Sequence, residues 1–369
     1  MSNVLEGMVL KINDRIKIRT VQFFNNFSLD LIYDSIASTF KFSFYFDPEN
    51  HDQEELSCVS HFHEAQLFYN GELLITGYIL SQAYVSDVQR ELVNISGYAK
   101  AGVLEDCQIP PSLYPLQSDG LSLIQIAQKF TKPFDLSIYV DGSVSAKMNL
   151  AYEKTTANES QSIKDYLTEL AIQRDIILTH DSGGDLLFTK AKTNLKPIIA
   201  FDQSNFMGAT QMQLSFAGQG LHSEITVIKQ ADSKGGEAGQ YTIYNPFVPI
   251  VYRPKVIVQS SGDVNSLQET AQQALAAEIK SIVLTITTDR WVINGKILKP
   301  NNLISVVNPE IYLYKKTNWF IESISFEGDS EKTIATIKCV LPCVYDGSVP
   351  VNVFVDAHKN SPTPYGLNG

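Results

Sequence analysis

Residues 291–343, WVINGKILKPNNLISVVNPEIYLYKKTNWFIESISFEGDSEKTIATIKCVLPC, decide the fold of this chain. Asn294-Gly295 is the dipeptide that accepts positive φ in a two-residue hairpin loop. Leu303 to Val307 is rich in β-branched residues and is closed by Asn308-Pro309. Trp319 to Phe326 puts Phe320, Ile324 and Phe326 on one side of a strand, Gly328-Asp329 makes a turn, and Ala335 to Cys339 alternates again. The pattern predicts an antiparallel meander with one face buried.

Outward from that stretch, the composition is ordinary for a globular chain. Its 369 residues, 44% hydrophobic and 19% charged, suffice for two or three domains with ample core. The net charge of -11 argues against a nucleic-acid binder, which needs clustered cations to neutralise phosphates. It suits a surface past which DNA slides without sticking. No run approaches the roughly 18 apolar residues of a membrane span, and Met1 to Arg15 is too polar for a signal peptide. Cys58, Cys107, Cys339 and Cys343 lack the spacing of a disulfide framework, which points to synthesis in a reducing compartment.

In chain order, residues 1–107 read as a β domain. Strands are expected at Met8–Ile12 and Ile16–Val21, and a short helix at Asp30–Thr39, where Leu31, Ile32, Ser35 and Ile36 share a face. Phe40, Phe42, Phe44 and Phe46 then line one side of a strand, and Asn70-Gly71 turns a hairpin. Residues 108–200 are mixed. Ser122 and Gln125 form a capping box ahead of a helix with Leu123, Ile126, Ala127 and Phe130 on one face. Ile163, Tyr166, Leu167, Leu170 and Ala171 mark a second helix, which feeds a hairpin turning at Asp181–Gly184. Residues 201–343 carry a strand toward Ile228, a glycine-rich loop at Ala231–Gln240, and a helix capped at Asp263 with a stripe from Leu267 to Ile282. Residues 344–369 form a tail whose apolar run, Val349–Val355, awaits a partner.

Several of these segments together resemble one family. Gly295, Pro300, Asn301, Leu303, Val306, Pro309, Phe320, Ile321, Ile324, Phe326, Ile337, Val340 and Pro342 follow the order of the C-terminal part of the Mu-like tail protein P family. These are baseplate hub proteins of contractile-tailed bacteriophages, related to type VI secretion spike hub domains. Gly77-Tyr78-Ile79, Asn94–Gly97 and Gly102–Cys107 are similar to a further progression of that family, with Tyr98 standing where the family carries arginine. Tyr252–Val258 and the 163–190 helix–hairpin module are similar as well.

The resemblance implies an α+β, mostly antiparallel β chain: two tail-tube-like β-barrel domains with small α/β modules between them. The expected divisions are 1–107 for the first tube-like domain, 108–200 for the helix-containing insert, 201–343 for the second tube-like domain, and 344–369 for the tail. It implies a structural role without enzymatic activity or cofactor, in the virion tail baseplate after synthesis in the bacterial cytoplasm. The implied partners are two further copies in a homotrimer, the central spike, the tail tube protein, neighbouring wedge proteins and the tape-measure protein. Three chains with two tube-like domains each would match a sixfold tube to a threefold spike. DNA would only pass through the lumen. The other readings are a cell-wall-degrading or a carbohydrate-binding tail component.

Candidate chemistry is sparse. Cys58, His61 and His63 form C-x-x-H-x-H, which would put both imidazoles on one strand face as the start of a zinc site. Ligand sets come as two paired clusters, so a polar rim explains them and no metal is expected. Cys339 and Cys343 read as buried free thiols. Glu54, Glu55, Glu64, Asp175 and Asp185 do not fall in the context of a glycosidase pair. Gly183-Gly184 and Gly235–Gly239 lack the Lys-Ser/Thr of a phosphate loop. The site residues expected to bind a partner are Val349, Val351 and Phe354, which are apolar yet lie beyond the last strand.

Overall fold

A computed structural model describes residues 7–14, 16–22, 24–86, 91–202, 208–229, 238–259, 266–293, 295–329 and 332–354. The chain divides into two compact units, Met1–Lys190 with Ile324–Ala335, and Ala191–Ser323 with Thr336–Gly369.

The first unit opens with β1 (Met8–Asn13), β2 (Ile18–Val21), β3 (Asn26–Ile32), β4 (Thr39–Tyr45), α1 (His51–Leu56), β5 (Glu64–Tyr69), β6 (Glu72–Ser86) and β7 (Glu91–Ala99). They pair antiparallel in the order β3-β4-β7-β6-β5-β1-β2. The helix expected at Asp30–Thr39 is not there: Asp30–Ile32 ends β3, and a turn leads into β4. Of the residues that suggest a helical face, Leu31 and Ile32 continue the in-and-out alternation of β3, where Phe27, Leu29 and Leu31 are buried, so tertiary pairing overrides a short-range pattern. Phe40, Phe42 and Phe44 are buried as expected; Phe46 lies just past the strand, edge-on to Tyr84 at 5.0 Å.

Gly77 and Gly97 are required by close approach. A Cβ on Gly97 would stand 1.9 Å from the Tyr78 carbonyl oxygen and 2.7 Å from the tip of Phe40; one on Gly77 would stand 2.0 Å from the Tyr98 carbonyl oxygen. The Phe40 ring therefore uses the space that two missing side chains leave open.

The helical module completes this unit: α2 (Val103–Asp106), α3 (Leu123–Thr131), β8 (Ile138–Val140), α4 (Ser145–Met148), α5 (Ile163–Ile172), β9 (Ile177–His180) and β10 (Leu186–Thr189). The Ser122–Gln125 capping box is present, and Leu123, Ile126, Ala127 and Phe130 are fully buried on the expected face. Phe130 meets Tyr166 of α5 edge-on at 5.4 Å. Gly184 has φ +79, and a Cβ there would stand 2.1 Å from the Thr76 carbonyl oxygen, so the glycine turn serves close packing on β6.

The second unit contains β11 (Ile199–Asp202), β12 (Ala209–Phe216), β13 (Glu224–Lys229), β14 (Gly239–Tyr244), β15 (Pro254–Gln259), α6 (Leu267–Ile279), β16 (Ile282–Thr288), β17 (Val292–Ile293), β18 (Lys296–Ile297), β19 (Leu303–Asn308), β20 (Leu313–Asp329), β21 (Thr333–Val340) and α7 (Cys343–Asp346). β20 and β21 lend their connected ends to the first unit, where β20 neighbours β3. The strands of the meander form, with β19 antiparallel to β20 and β20 beside β21, but Gly328-Asp329, expected as the turn, is the end of β20, which keeps its ladder up to Asp329. Ile293 pairs with Lys296 across the two-residue loop, and Gly295 takes φ +75. Among the described residues β8 pairs parallel with β10, β11 with β19, and β13 with β15.

The N-cap of α6 is Ser266, in a capping box with Glu269. Asp263, expected as the cap, lies outside the described residues, as do Asn294 of the expected hairpin turn, residues 231–237 of the glycine-rich loop and Val355 onward. Ile282 begins β16 rather than extending the helical stripe. The chain is thus α+β and mostly antiparallel β. Among the described residues no strand order closes on itself, and no helix is long and apolar enough to cross a membrane.

Candidate partner surface at the C-terminal segment

The residues weighed for chemistry are occupied structurally. Ser60 and Phe62 have positive φ, so Cys58–His63 is a looped turn and its two imidazoles do not share a strand face. Cys58 Sγ lies 3.6 Å from His61 Nε2, but His63 Nε2 lies 3.1 Å from the Glu55 carbonyl oxygen. No group of three metal-ligating side chains gathers among the described residues. Glu55 pairs with Arg19, Asp175 with Lys190, and Asp185 with Lys100 at 3.2 Å. Arg19 also holds Asp14, whose carboxyl is kept well below the usual carboxylate range by the Lys17 backbone N–H and the Arg19 guanidinium. Tyr98, at the family's arginine position, donates to Asp106 at 2.6 Å and so ties β7 to α2.

The C-terminal segment is built differently. Leu341-Pro342 ends β21 and starts the short helix α7, and Gly347 at φ +69 terminates it. The base of α7 is a buried ionic cluster. Glu322, whose side chain is 3% exposed, accepts from Lys280 at 2.8 Å and Lys338 at 2.7 Å. Tyr345 donates to the same carboxylate at 3.0 Å and accepts from Lys280 at 3.2 Å. Glu322 follows the buried run Trp319-Phe320-Ile321, a place where an apolar residue would be expected. Burial pushes the Cys339 thiol up, with the Glu322 charge adding to it, and burial pushes Cys343 up to about 12.

Beyond α7 the chain runs extended. Asn352 donates to the Pro246 carbonyl oxygen at 2.8 Å, and its own amide oxygen accepts from the Phe354 backbone N–H at 2.9 Å. Of the three residues expected to bind a partner, Phe354 is an anchor for its own unit. Its ring lies 6.1 Å from Phe216, 5.9 Å from Phe247 and 6.4 Å from Tyr312. Val349 and Val351, in contrast, are 64% and 78% exposed. They border a groove of about 680 Å³ whose other wall includes Lys315, Lys316, Thr317 and Asn318. The sequence did not show this wall, because the groove joins segments some thirty residues apart.

Residues 101–190 match the family model "Baseplate hub protein gp44-like, second domain". The chain is 21% identical over 275 residues to the baseplate hub protein gp44 of Escherichia phage Mu, covering 69% of this chain and 68% of that protein. Among solved structures it resembles the 43 kDa tail protein of prophage MuSo2 from Shewanella oneidensis, with a TM-score of 0.77 at 22% identity over 92% of this chain and 99% of that one. The tail protein from Neisseria meningitidis MC58 superposes with a TM-score of 0.73 at 18% identity, over 92% of this chain and 98% of that one. Fold and relatives define a structural phage tail protein, a class of hub and tail components rather than enzymes. Within that class it is similar to the Mu-like baseplate hub proteins, whose second domain residues 101–190 match, and its place is the tail baseplate of the virion.

Proposed function

We propose that three copies of this chain form a ring that joins the tail tube to the central spike, holds the spike until contraction, and then leaves a lumen through which DNA passes. Each chain would contribute two tube-like β domains, so that three chains present six to the sixfold tube above and threefold symmetry to the spike below. Wedge proteins and the tape-measure protein would contact the outside and the upper face. The observation that carries this reading is similarity to hub and tail proteins along nearly the whole chain. The exposed pair Val349 and Val351, beside the anchored Phe354 and Asn352, supports the C-terminal segment as the spike-facing surface. The net charge of -11 supports an acidic lumen, which repels phosphates and prevents sticking; a bore lined by basic side chains would overturn that part.

Light scattering on the chain alone and with the spike protein of the same phage tests the reading. A species at three times 41.1 kDa, or a complex of three chains with three spike subunits, is the expected result. A monomer in both samples would refute the ring.

A further inference from the structure

The groove beside the C-terminal segment has a strand edge for one wall. β20 has 17 residues and β21 has 8, and their hairpin closes with the Asp329 N–H donating to the Lys332 carbonyl at 2.9 Å. Antiparallel pairing from that turn exhausts β21 near Ile321. On its other side, β20 is taken by β19, from Leu303 opposite Phe320 to Asn308 opposite Leu313. At Lys316–Asn318, therefore, the side of β20 away from β19 has no strand beside it among the described residues. The groove runs along this edge, and Pro342 turns the chain away from it.

An open edge in a preformed groove is the geometry in which an extended peptide adds a strand, with backbone hydrogen bonds for affinity and side-chain pockets for selection. The groove walls state what the side chains must be. Lys316 presents an exposed lysine side chain on a chain whose net charge is -11, so this wall is locally opposite in sign to the molecule. Facing it, Leu341, Val349 and Val351 are apolar.

We propose that an extended segment of the spike protein, with acidic residues beside apolar ones, docks in this groove as an added strand on β20. The inference rests on the reading that the spike is the partner of this surface. Lys316 selects its carboxylates, and Val349 and Val351 cover its apolar side chains. The anchoring of Phe354 keeps the far wall in place before docking, which lowers the ordering cost of the complex.

The test uses peptides of about fifteen residues tiled along the spike sequence, each labelled and titrated with the full chain by fluorescence anisotropy. The expected result is that an acidic, apolar tile binds. Its affinity should fall with added salt, and by about tenfold or more with Lys316→Glu or Val351→Asp, both surface changes. The proposal is overturned if no tile binds, if the bound tile is basic, or if neither substitution weakens it. It is also overturned if the substitutions abolish self-association instead, which would make a second copy of the chain the occupant. The whole spike protein, mixed with the unmutated chain, separates the two readings. No complex there refutes the spike reading itself, while a complex untouched by both substitutions refutes only the groove.

Discussion

The buried carboxylate under α7 allows a quantitative test. Glu322 is 3% exposed and held by Lys280 at 2.8 Å and Lys338 at 2.7 Å. Replacing both lysines by methionine keeps most of their packing but strips the charge of its cationic partners. That is expected to destabilise the second unit by about 3–5 kcal/mol, the range for stranding a buried charge. Either single change leaves one ammonium and the Tyr345 hydroxyl in place. The lysines are themselves 37% and 46% exposed, so solvent screening reduces the cost of each single change to about 1 kcal/mol. The double change is therefore more than additive. Adding Glu322→Met should recover most of the loss, since an apolar trio of similar volume is close to neutral. Urea unfolding followed by tryptophan fluorescence is the assay. The two tryptophans of the chain, Trp291 and Trp319, are 4% and 0% exposed and both lie in the second unit, so the signal reports that unit. A double variant no less stable than the summed singles, or a triple variant no more stable than the double, would refute the reasoning.

Gly97→Ala should cost the first unit about 3 kcal/mol or more, because the new methyl meets the Tyr78 carbonyl at 1.9 Å; Phe40→Leu should fail to rescue it, which circular dichroism melts would show. Ser266→Ala should cost about 1 kcal/mol through loss of the α6 cap, read as a lower urea midpoint with an unchanged slope. Burial lowers the pKa of His63 and of His180, so the folded first unit binds fewer protons there than the unfolded chain. Stability should consequently fall as pH drops below the ordinary histidine value of 6.5 and be regained above it. Amide exchange in β9 and β10 should show this, and His180→Phe should flatten the dependence. A thiol reagent should label Cys58 and Cys107 well before Cys343 and the buried Cys339; equal rates would contradict the burial of the last strand.

Much of this protein was legible in local sequence. The turn at Gly295, the strands after it, the Ser122–Gln125 capping box and the two amphipathic helices of the module are set by interactions within a few residues and formed where their patterns placed them, while the turn read at Gly328-Asp329 is strand. Weak matches in a fixed order along the chain also sufficed to indicate the hub family. What failed was whatever depends on distant partners. Leu31, Ile32, Ser35 and Ile36 fit a helical face, yet the first two end strand β3, which pairs with β4 as far as Asp30. Three parallel pairings were invisible because nothing local encodes the partner of a strand. Phe354 was legible as an apolar residue in a tail, but only the assembled unit surrounds it with Phe216, Phe247 and Tyr312 and leaves Val349 and Val351 outside. Glu322 ends a run of buried apolar residues, and its cations come from positions 280 and 338. Local periodicity and turn chemistry fix which elements exist. Long-range packing decides which edges and side chains remain open to a partner, because burial is a property of the whole unit and not of any stretch within it.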